Sequence, residues 1–170
     1  MKKVYYLSLV VGLTIIFSMC SKTSTAEEEK QLTEAFLENE KIVIDPSKME
    51  EELFNLVNEH RLSIGASQLQ NSSSSYVHAQ EHSNYMISQN ELSHDNFDAR
   101  ASKIALEINA VNVSENVARY YSTASAMLNG WLNSASHKST LEGEFTHATL
   151  NVELDKNGRA YCTQIFMKVD

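Results

Sequence analysis

Three short phrases in the second half of the chain carry side chains that can hold a metal ion or move a proton. They are Leu92-Ser93-His94, Ser114-Glu115-Asn116-Val117-Ala118 and Trp131-Leu132-Asn133-Ser134-Ala135-Ser136-His137. Two imidazoles and a carboxylate form a ligand set that suits zinc or a similar divalent ion with an open position. The same trio can act as an acid–base cluster, because burial beside one another shifts the pKa of both kinds of group. Both chemistries require His94, Glu115 and His137 to converge.

The surroundings of these three residues permit convergence without demanding it. Each lies near a predicted helix boundary, where side chains can meet at a pocket without disturbing a packed stripe. His94 equally suits a turn, and His137 suits the C-terminal end of a helix. Glu115 suits the first turn of a helix, where a carboxylate interacts favourably with the helix dipole. Spacing alone leaves the shared site and these separate roles open.

A second pattern of chemical residues is His78-Ala79-Gln80-Glu81-His82, which fits the H-x-x-E-H zinc-protease motif. Two histidines four residues apart on a helix can share a metal. At about 100° per residue, however, both fall away from the stripe that this helix is expected to bury. That stripe comprises Tyr76, Ala79, Ser83 and Met86. We therefore expect His78 and His82 to face solvent or a flank, and no zinc-protease site there.

The N-terminus has the composition of an export signal, which we assign to residues 1–19. Lys2-Lys3 supply the positive region, and the apolar run from Val4 to Met19 is short for a membrane span. Cys20 follows at once, as in a bacterial lipoprotein, where acylation of this cysteine anchors the protein to the membrane. Ser24-Thr25-Ala26 offers an alternative cleavage site for ordinary secretion. An uncleaved anchor is the third alternative.

Charge and cysteine content restrict the partners and the chemistry. The formal net charge is −8, which argues against nucleic acid as a partner because phosphate neutralisation needs a basic face. An exported protein often carries disulfides, yet Cys162 is the only thiol that remains once Cys20 is acylated or removed. Cys162 lies in a strand-like run, so we expect a buried, inert thiol rather than a nucleophile.

The chain divides into a flexible tether at residues 20–46, rich in Ser, Thr and Glu, and a folded domain at residues 47–170. Ser47 with Glu50 forms a capping-box pattern that predicts a first helix ending at Gly65. Three further helices are predicted, from about Ser74 to Gln89, from Asn96 and from Ser122. Alternating residues at 148–154 and 161–169, around a turn at 155–158, predict an antiparallel hairpin. This order indicates an α+β domain with helices covering a sheet.

Several motifs occur in a fixed order along residues 53–168. They are Leu56-Val57-Asn58-Glu59-His60-Arg61, Leu92-Ser93-His94, the F-x-x-R pair Phe97 and Arg100, Glu115-Asn116-Val117-Ala118, and the W-x-x-S-x-x-H pattern of Trp131, Ser134 and His137. In this order and spacing the chain resembles bacterial members of the CAP superfamily, the SCP-like extracellular proteins. The resemblance implies a three-layer α-β-α sandwich with a C-terminal antiparallel hairpin.

The resemblance also implies a cavity formed by His94, Glu115 and His137. Ser134 stands where eukaryotic members usually carry a second cavity glutamate, so it is a candidate fourth member. The sequence departs from bacterial relatives at Lys138 and Thr140. A three-member cavity with a divalent metal such as zinc is the expectation, and the missing glutamate weakens metal binding.

Three functions are compatible with this resemblance. The first is a non-enzymatic envelope protein that binds a lipid, a glycan or a partner protein. The second is a metal-assisted hydrolase of the protease type, with His94 and His137 as ligands and Glu115 as base. The third is a structural role in spacing the envelope. The chain lacks a compact nucleophile–base motif, so the sequence favours binding over catalysis.

Overall fold

The computed structural model of the protein describes residues 43–169. The predicted signal peptide, Cys20 and nearly all of the tether lie outside the described residues. Within 43–169, no helix combines the length and the hydropathy needed to cross a membrane.

The described part of the chain forms five α-helices and four strands around one sheet. In chain order they are α1 (Pro46–Ser63), β1 (Gln70–Asn71), a 3-10 turn (Ser73–Ser75), α2 (Tyr76–Gln89), α3 (Phe97–Ile108), β2 (Ala110–Arg119), α4 (Ala124–Leu132), α5 (Ala135–Leu141), β3 (His147–Leu154) and β4 (Ala160–Val169). The predicted α+β class is confirmed.

The sheet has the strand order β1-β3-β4-β2. β1 pairs with β3 in parallel, and β4 pairs antiparallel with both β3 and β2. β3 and β4 are the predicted C-terminal hairpin, whose turn contains Gly158 at a φ of 76°. Glycine adopts this left-handed conformation without a steric penalty, which explains its place in the turn.

Helices cover both faces of the sheet, and the alternation of side chains along each strand separates two cores. On one face, α1 and α4 bury apolar residues against the sheet, among them Leu53, Met127, Trp131, Leu150 and Phe166. On the other face, α2 and α3 pack on β2 and β4 through Ala79, Ile104, Val113, Ile165 and Met167. The predicted three-layer α-β-α sandwich is confirmed.

Two helices begin at a capping residue other than the predicted one. Asp45, not Ser47, caps α1 and accepts a hydrogen bond from the Lys48 backbone N–H at 3.2 Å. Pro46 then occupies the first helical position, where its fixed φ suits the helix. Thr123, one residue after the predicted Ser122, caps α4 in the same way. Adjacent capping residues carry the same local signal, so sequence alone does not distinguish them.

Besides the short β1 and the 3-10 turn, two longer elements were not predicted from the sequence. Residues 110–119 form strand β2, so the expectation that Glu115 lies near a helix boundary is wrong. The second is α5, seven mostly polar residues with Leu141 as its buried residue, which places His137 inside a helix. A single buried apolar residue gives too little periodicity to predict a helix.

Candidate functional site

Glu115 is a buried carboxylate in the middle of β2. It lies on the same face as Val113 and Val117, which pack against α2 and α3. Its side chain is 1% exposed, and its Oε2 atom accepts hydrogen bonds from Nε and Nη2 of Arg100 at 2.9 and 2.6 Å. A guanidinium in this position offsets the cost of burying the negative charge.

His94 contacts the other oxygen of the same carboxylate. The loop between α2 and α3 carries His94, and its Nδ1 lies 2.9 Å from Glu115 Oε1. An ionised carboxylate only accepts hydrogen bonds, so Nδ1 is the donor. The other ring nitrogen, Nε2, is left for solvent or a ligand, and the His94 side chain is 51% exposed. Two of the three predicted site residues therefore meet.

His82 is the unexpected neighbour of Glu115. Its Nε2 donates to the Ser93 carbonyl at 2.8 Å and lies 3.6 Å from Glu115 Oε1. His82 is 3% exposed, so of the two expected alternatives, solvent or a flank, the structure excludes solvent. Burial lowers the pKa of His82 more than the charge of Glu115 raises it. At neutral pH the ring is therefore uncharged, and the 3.6 Å contact is not an ion pair.

His78, the other histidine of that expectation, is also buried and does not face solvent. Its Nε2 lies 2.8 Å from Glu107 Oε2 on α3. α3 and the loop before it cover the flank of α2 on which both histidines lie. The two histidines of the H-x-x-E-H pattern thus contact different partners. No group of three or more His, Cys, Asp or Glu side chains suited to a metal ion occurs within residues 43–169.

His137 lies on α5 near the same edge strand. Its backbone carbonyl accepts a hydrogen bond from Asn116 Nδ2 at 3.1 Å, which ties α5 to β2 beside Glu115. Burial lowers the pKa of His137, and the charge of His94 lowers it further. In the part of the chain that the structure describes, the His137 ring makes no hydrogen bond or ion pair with His94 or Glu115.

Ser134 occupies the N-cap position of α5, and its Oγ lies 3.2 Å from Ser136 Oγ. Among the described residues, Ser134 makes no hydrogen bond with His94, Glu115 or His137. Its membership of the cavity stays a prediction. Trp131, from the same motif, donates from Nε1 to the Val117 carbonyl at 3.1 Å and fastens α4 to β2.

The donor set does not fit a metal ion bound directly by Glu115. Both carboxylate oxygens already accept hydrogen bonds, from Arg100 and from His94. The adjacent guanidinium would also repel a cation in a site that water does not screen. Only the His94 and His137 rings remain as available donors. This geometry therefore argues against zinc binding by all three residues of the predicted set.

Sequence reasoning missed the roles of Arg100 and His82. The F-x-x-R pair held the signal for Arg100. One helical turn separates its two members, and the Arg100 guanidinium lies 5.9 Å from the centre of the Phe97 ring. For His82, the signal was its position four residues after His78. The two residues form a second stripe on α2, and α3 with the loop before it covers this stripe.

Cys162 is fully buried in β4, as expected. Burial raises its pKa well above the ordinary value for a thiol. Because the thiolate is the reactive form, this cysteine is inert at neutral pH.

The class of protein is shown by comparison with known families. Residues 54–166, more than half of the chain, match the family model described as "CAP: Cysteine-rich secretory protein family". The chain belongs to this family. Among curated proteins none matches.

Three of the solved structures with the same fold come from bacteria. An outer surface protein from Borrelia burgdorferi is 19% identical, with a TM-score of 0.67, over 75% of this chain and 97% of that one. An extracellular protein containing a SCP domain from Bacillus anthracis is 27% identical, with a TM-score of 0.62, over 72% of this chain and 41% of that one. A cysteine-rich secretory protein from Staphylococcus aureus is 20% identical, with a TM-score of 0.64, over 74% of this chain and 40% of that one. This chain thus spans about two-fifths of the latter two.

Proposed function

We propose that this protein is an exported, envelope-associated binding module whose ligand contacts the exposed ring of His94 beside Glu115 and His137. Export is supported by the N-terminal signal pattern and by the descriptions of its structural neighbours, which are outer-surface, extracellular or secretory proteins. Attachment to the membrane through an acylated Cys20 is the form of export that the sequence favours.

The burial and pairing of Glu115 are the observations that support binding rather than catalysis. A general base must reach the proton that it removes, whereas the Glu115 side chain is 1% exposed and paired with Arg100. Here Arg100 donates twice to one oxygen of Glu115, and His94 donates to the other. The carboxylate therefore serves to hold His94 in one tautomer and orientation. His94 Nε2 then faces outward as a fixed hydrogen-bonding atom.

The charge balance of the His94 cluster, which comprises His82, His94, Arg100, Glu115 and His137, indicates the class of ligand. The charges of Arg100 and Glu115 cancel, and burial lowers the pKa of His82 and of His137, which favours their neutral forms. The buried ion pair thus offers no net charge to an ionic ligand. A neutral, hydroxyl-rich ligand can both donate to and accept from imidazole nitrogens. Among lipid, glycan and protein ligands, the geometry favours a neutral glycan.

A binding screen tests this assignment. The purified protein is applied to immobilised neutral oligosaccharides, acidic oligosaccharides and lipid vesicles, beside a double variant, His94→Ala with His137→Ala. We expect binding to neutral oligosaccharides that is roughly tenfold or more weaker in the double variant, since each lost hydrogen bond costs about 1 kcal/mol.

The matched control is His147→Ala, which removes an imidazole whose Nδ1 contacts Thr146 Oγ1, away from the cluster. This variant should bind like the native protein. Selective binding to acidic sugars or to vesicles would refute the neutral-ligand argument. Binding that is equal in the native protein and the double variant would refute the site.

A further inference from the structure

A cavity of about 280 Å³ lies toward the sheet edge opposite the one that carries Glu115. β1 forms that edge with two residues, which pair only with His147 and Ala148 of β3. Among residues 43–169, the remainder of β3 pairs with no other strand at this edge, which lies between α1 and the start of α2. The cavity at this place is lined by Ser47, Glu50, Glu51, Phe54, Asn55, Asn71, Tyr76 and Leu150.

The carboxylate of Glu50 is held in this cavity by one of its two oxygens. Oε1 accepts three hydrogen bonds, from Tyr76 Oη at 3.0 Å, the Val152 backbone N–H at 2.8 Å and Asn151 Nδ2 at 3.3 Å. Oε2 accepts none from any residue between 43 and 169. Glu50 thus does not close a capping box with Ser47, as its spacing suggested. Its second oxygen is a fixed acceptor available to a group in the cavity.

The charge around Glu50 favours a cation as that group. The cavity lining contains two carboxylates, Glu50 and Glu51, and no Lys, Arg or His. Burial raises the pKa of Glu50, and the nearby charge of Glu153 also raises it. A bound cation would offset both effects, because it supplies the opposite charge that this half-buried carboxylate lacks.

The remaining walls distinguish an organic cation from a metal ion. Phe54, Tyr76 and Leu150 provide apolar and aromatic surface, and aromatic faces attract organic cations. Calcium takes about six to eight oxygen ligands at close range. Here one oxygen of Glu50 is already committed to three donors, and no group of metal-binding side chains occurs in the described part of the chain. The surface suits an ammonium group attached to an apolar body.

We propose that this cavity is a second binding site, which takes a small organic ammonium ion. The ammonium donates to Glu50 Oε2, and the apolar part of the ligand lies against Phe54 and Tyr76. The site shares no residue with the His94 cluster and does not depend on the function proposed for that cluster.

Phenethylamine and 2-phenylethanol form a suitable pair of probes, because they differ only in an ammonium or a hydroxyl group on the same apolar body. Each is titrated into the isotopically labelled full chain, and backbone amide shifts are followed by NMR. We expect phenethylamine to shift residues 47–55 and 71–76 with millimolar affinity. The alcohol should bind roughly tenfold more weakly, which corresponds to about 1.4 kcal/mol, since a hydrogen bond between charged groups is stronger than a neutral one.

Glu50→Gln keeps the shape of the side chain and removes its charge, so phenethylamine should bind the variant at least about tenfold more weakly. Glu59→Gln is the matched control on an exposed position of α1 and should bind like the native protein. Equal affinity for amine and alcohol, or equal affinity in the Glu50→Gln and native proteins, would overturn the proposal. So would shifts confined to the residues of β2. The comparison of amine with alcohol uses native protein, so it decides the question even if Glu50→Gln fails to fold.

Discussion

Arg100 and Glu115 meet through a single carboxylate oxygen, with Nε and Nη2 of the guanidinium at 2.9 and 2.6 Å from Oε2. Their side chains are 10% and 1% exposed. The pair joins α3 to the edge strand β2 and frees Oε1 to hold His94. The exposed imidazole thus depends on an ion pair buried beneath it.

Removal of Arg100 should destabilise the fold strongly. Arg100→Ala leaves the Glu115 carboxylate buried without its cation, and breaking a buried pair in this way costs about 3–5 kcal/mol. The measurement is the free energy of unfolding in urea. Lys48→Ala, which removes an exposed partner of Glu52 at 3.7 Å, is the control and should cost less than about 0.5 kcal/mol. An Arg100→Ala cost similar to that of the control would contradict the structural role of the pair.

Stability should decline as the pH falls below about 6.5. Burial places the folded pKa values of His82 and His137 below their ordinary value of 6.5. On acidification the unfolded chain therefore binds protons first, which favours unfolding by up to about 1.4 kcal/mol per pH unit for each proton. The contribution of these two histidines to stability is fully present above about pH 6.5 and is lost as the pH falls toward their folded pKa values.

The variant His82→Gln tests that assignment, because glutamine can still donate to the Ser93 carbonyl and does not titrate. Urea unfolding at a series of pH values between about 7 and 5 should show a shallower loss of stability in this variant than in the native protein. An unchanged slope would mean that His82 does not take part.

Zinc should bind weakly, because Glu115 is buried and paired with the Arg100 guanidinium, which repels a cation. Calorimetric titration of the native protein is expected to show far less than the roughly 10 kcal/mol or more of a structural zinc site. Any weak binding should disappear in the His94→Ala, His137→Ala double variant and survive in Glu115→Gln. Tight, stoichiometric binding that Glu115→Gln abolishes would instead restore the three-ligand metal site.

Arg61 should be as important to the fold as any apolar core residue. It is 1% exposed, and its guanidinium donates to four backbone carbonyls, of Ser67, Leu141, Gly143 and Phe145. Arg61→Met fills much of the same space and leaves those carbonyls without this donor. We expect a loss of about 3 kcal/mol or more in unfolding free energy. A loss below about 1 kcal/mol would show that water replaces the guanidinium at little cost.

The sequence predicted helices and the hairpin because those features depend on local periodicity, whereas the three layers were implied by the family resemblance. The stripe of Ala79, Ser83 and Met86 on α2 is buried as expected, and β3 and β4 pair around the expected turn. The strand at Glu115 was missed even though Val111, Val113 and Val117 alternate with polar residues there. A carboxylate at its centre obscured the pattern of a half-buried strand.

The candidate site was predicted in part, and the missing part is tertiary. His94 and Glu115 meet, but the burial of His82 depends on the loop at Ser93, which no spacing along α2 reveals. The partner of Arg100 likewise lies fifteen positions away on another element. Periodicity indicates which face of a helix is apolar. It does not indicate which polar side chain a neighbouring element will cover.

The most direct test of the binding assignment follows the histidine rings themselves. Two-dimensional proton–nitrogen NMR spectra of the imidazoles are recorded while neutral oligosaccharides are added to the purified protein. The account predicts a saturable shift of His94 Nε2, a smaller shift of His137, and an Nδ1 of His94 that stays protonated against Glu115. Two results would contradict the account. One is a sugar that binds without shifting the resonances of either ring, and the other is a set of neutral oligosaccharides none of which shifts them.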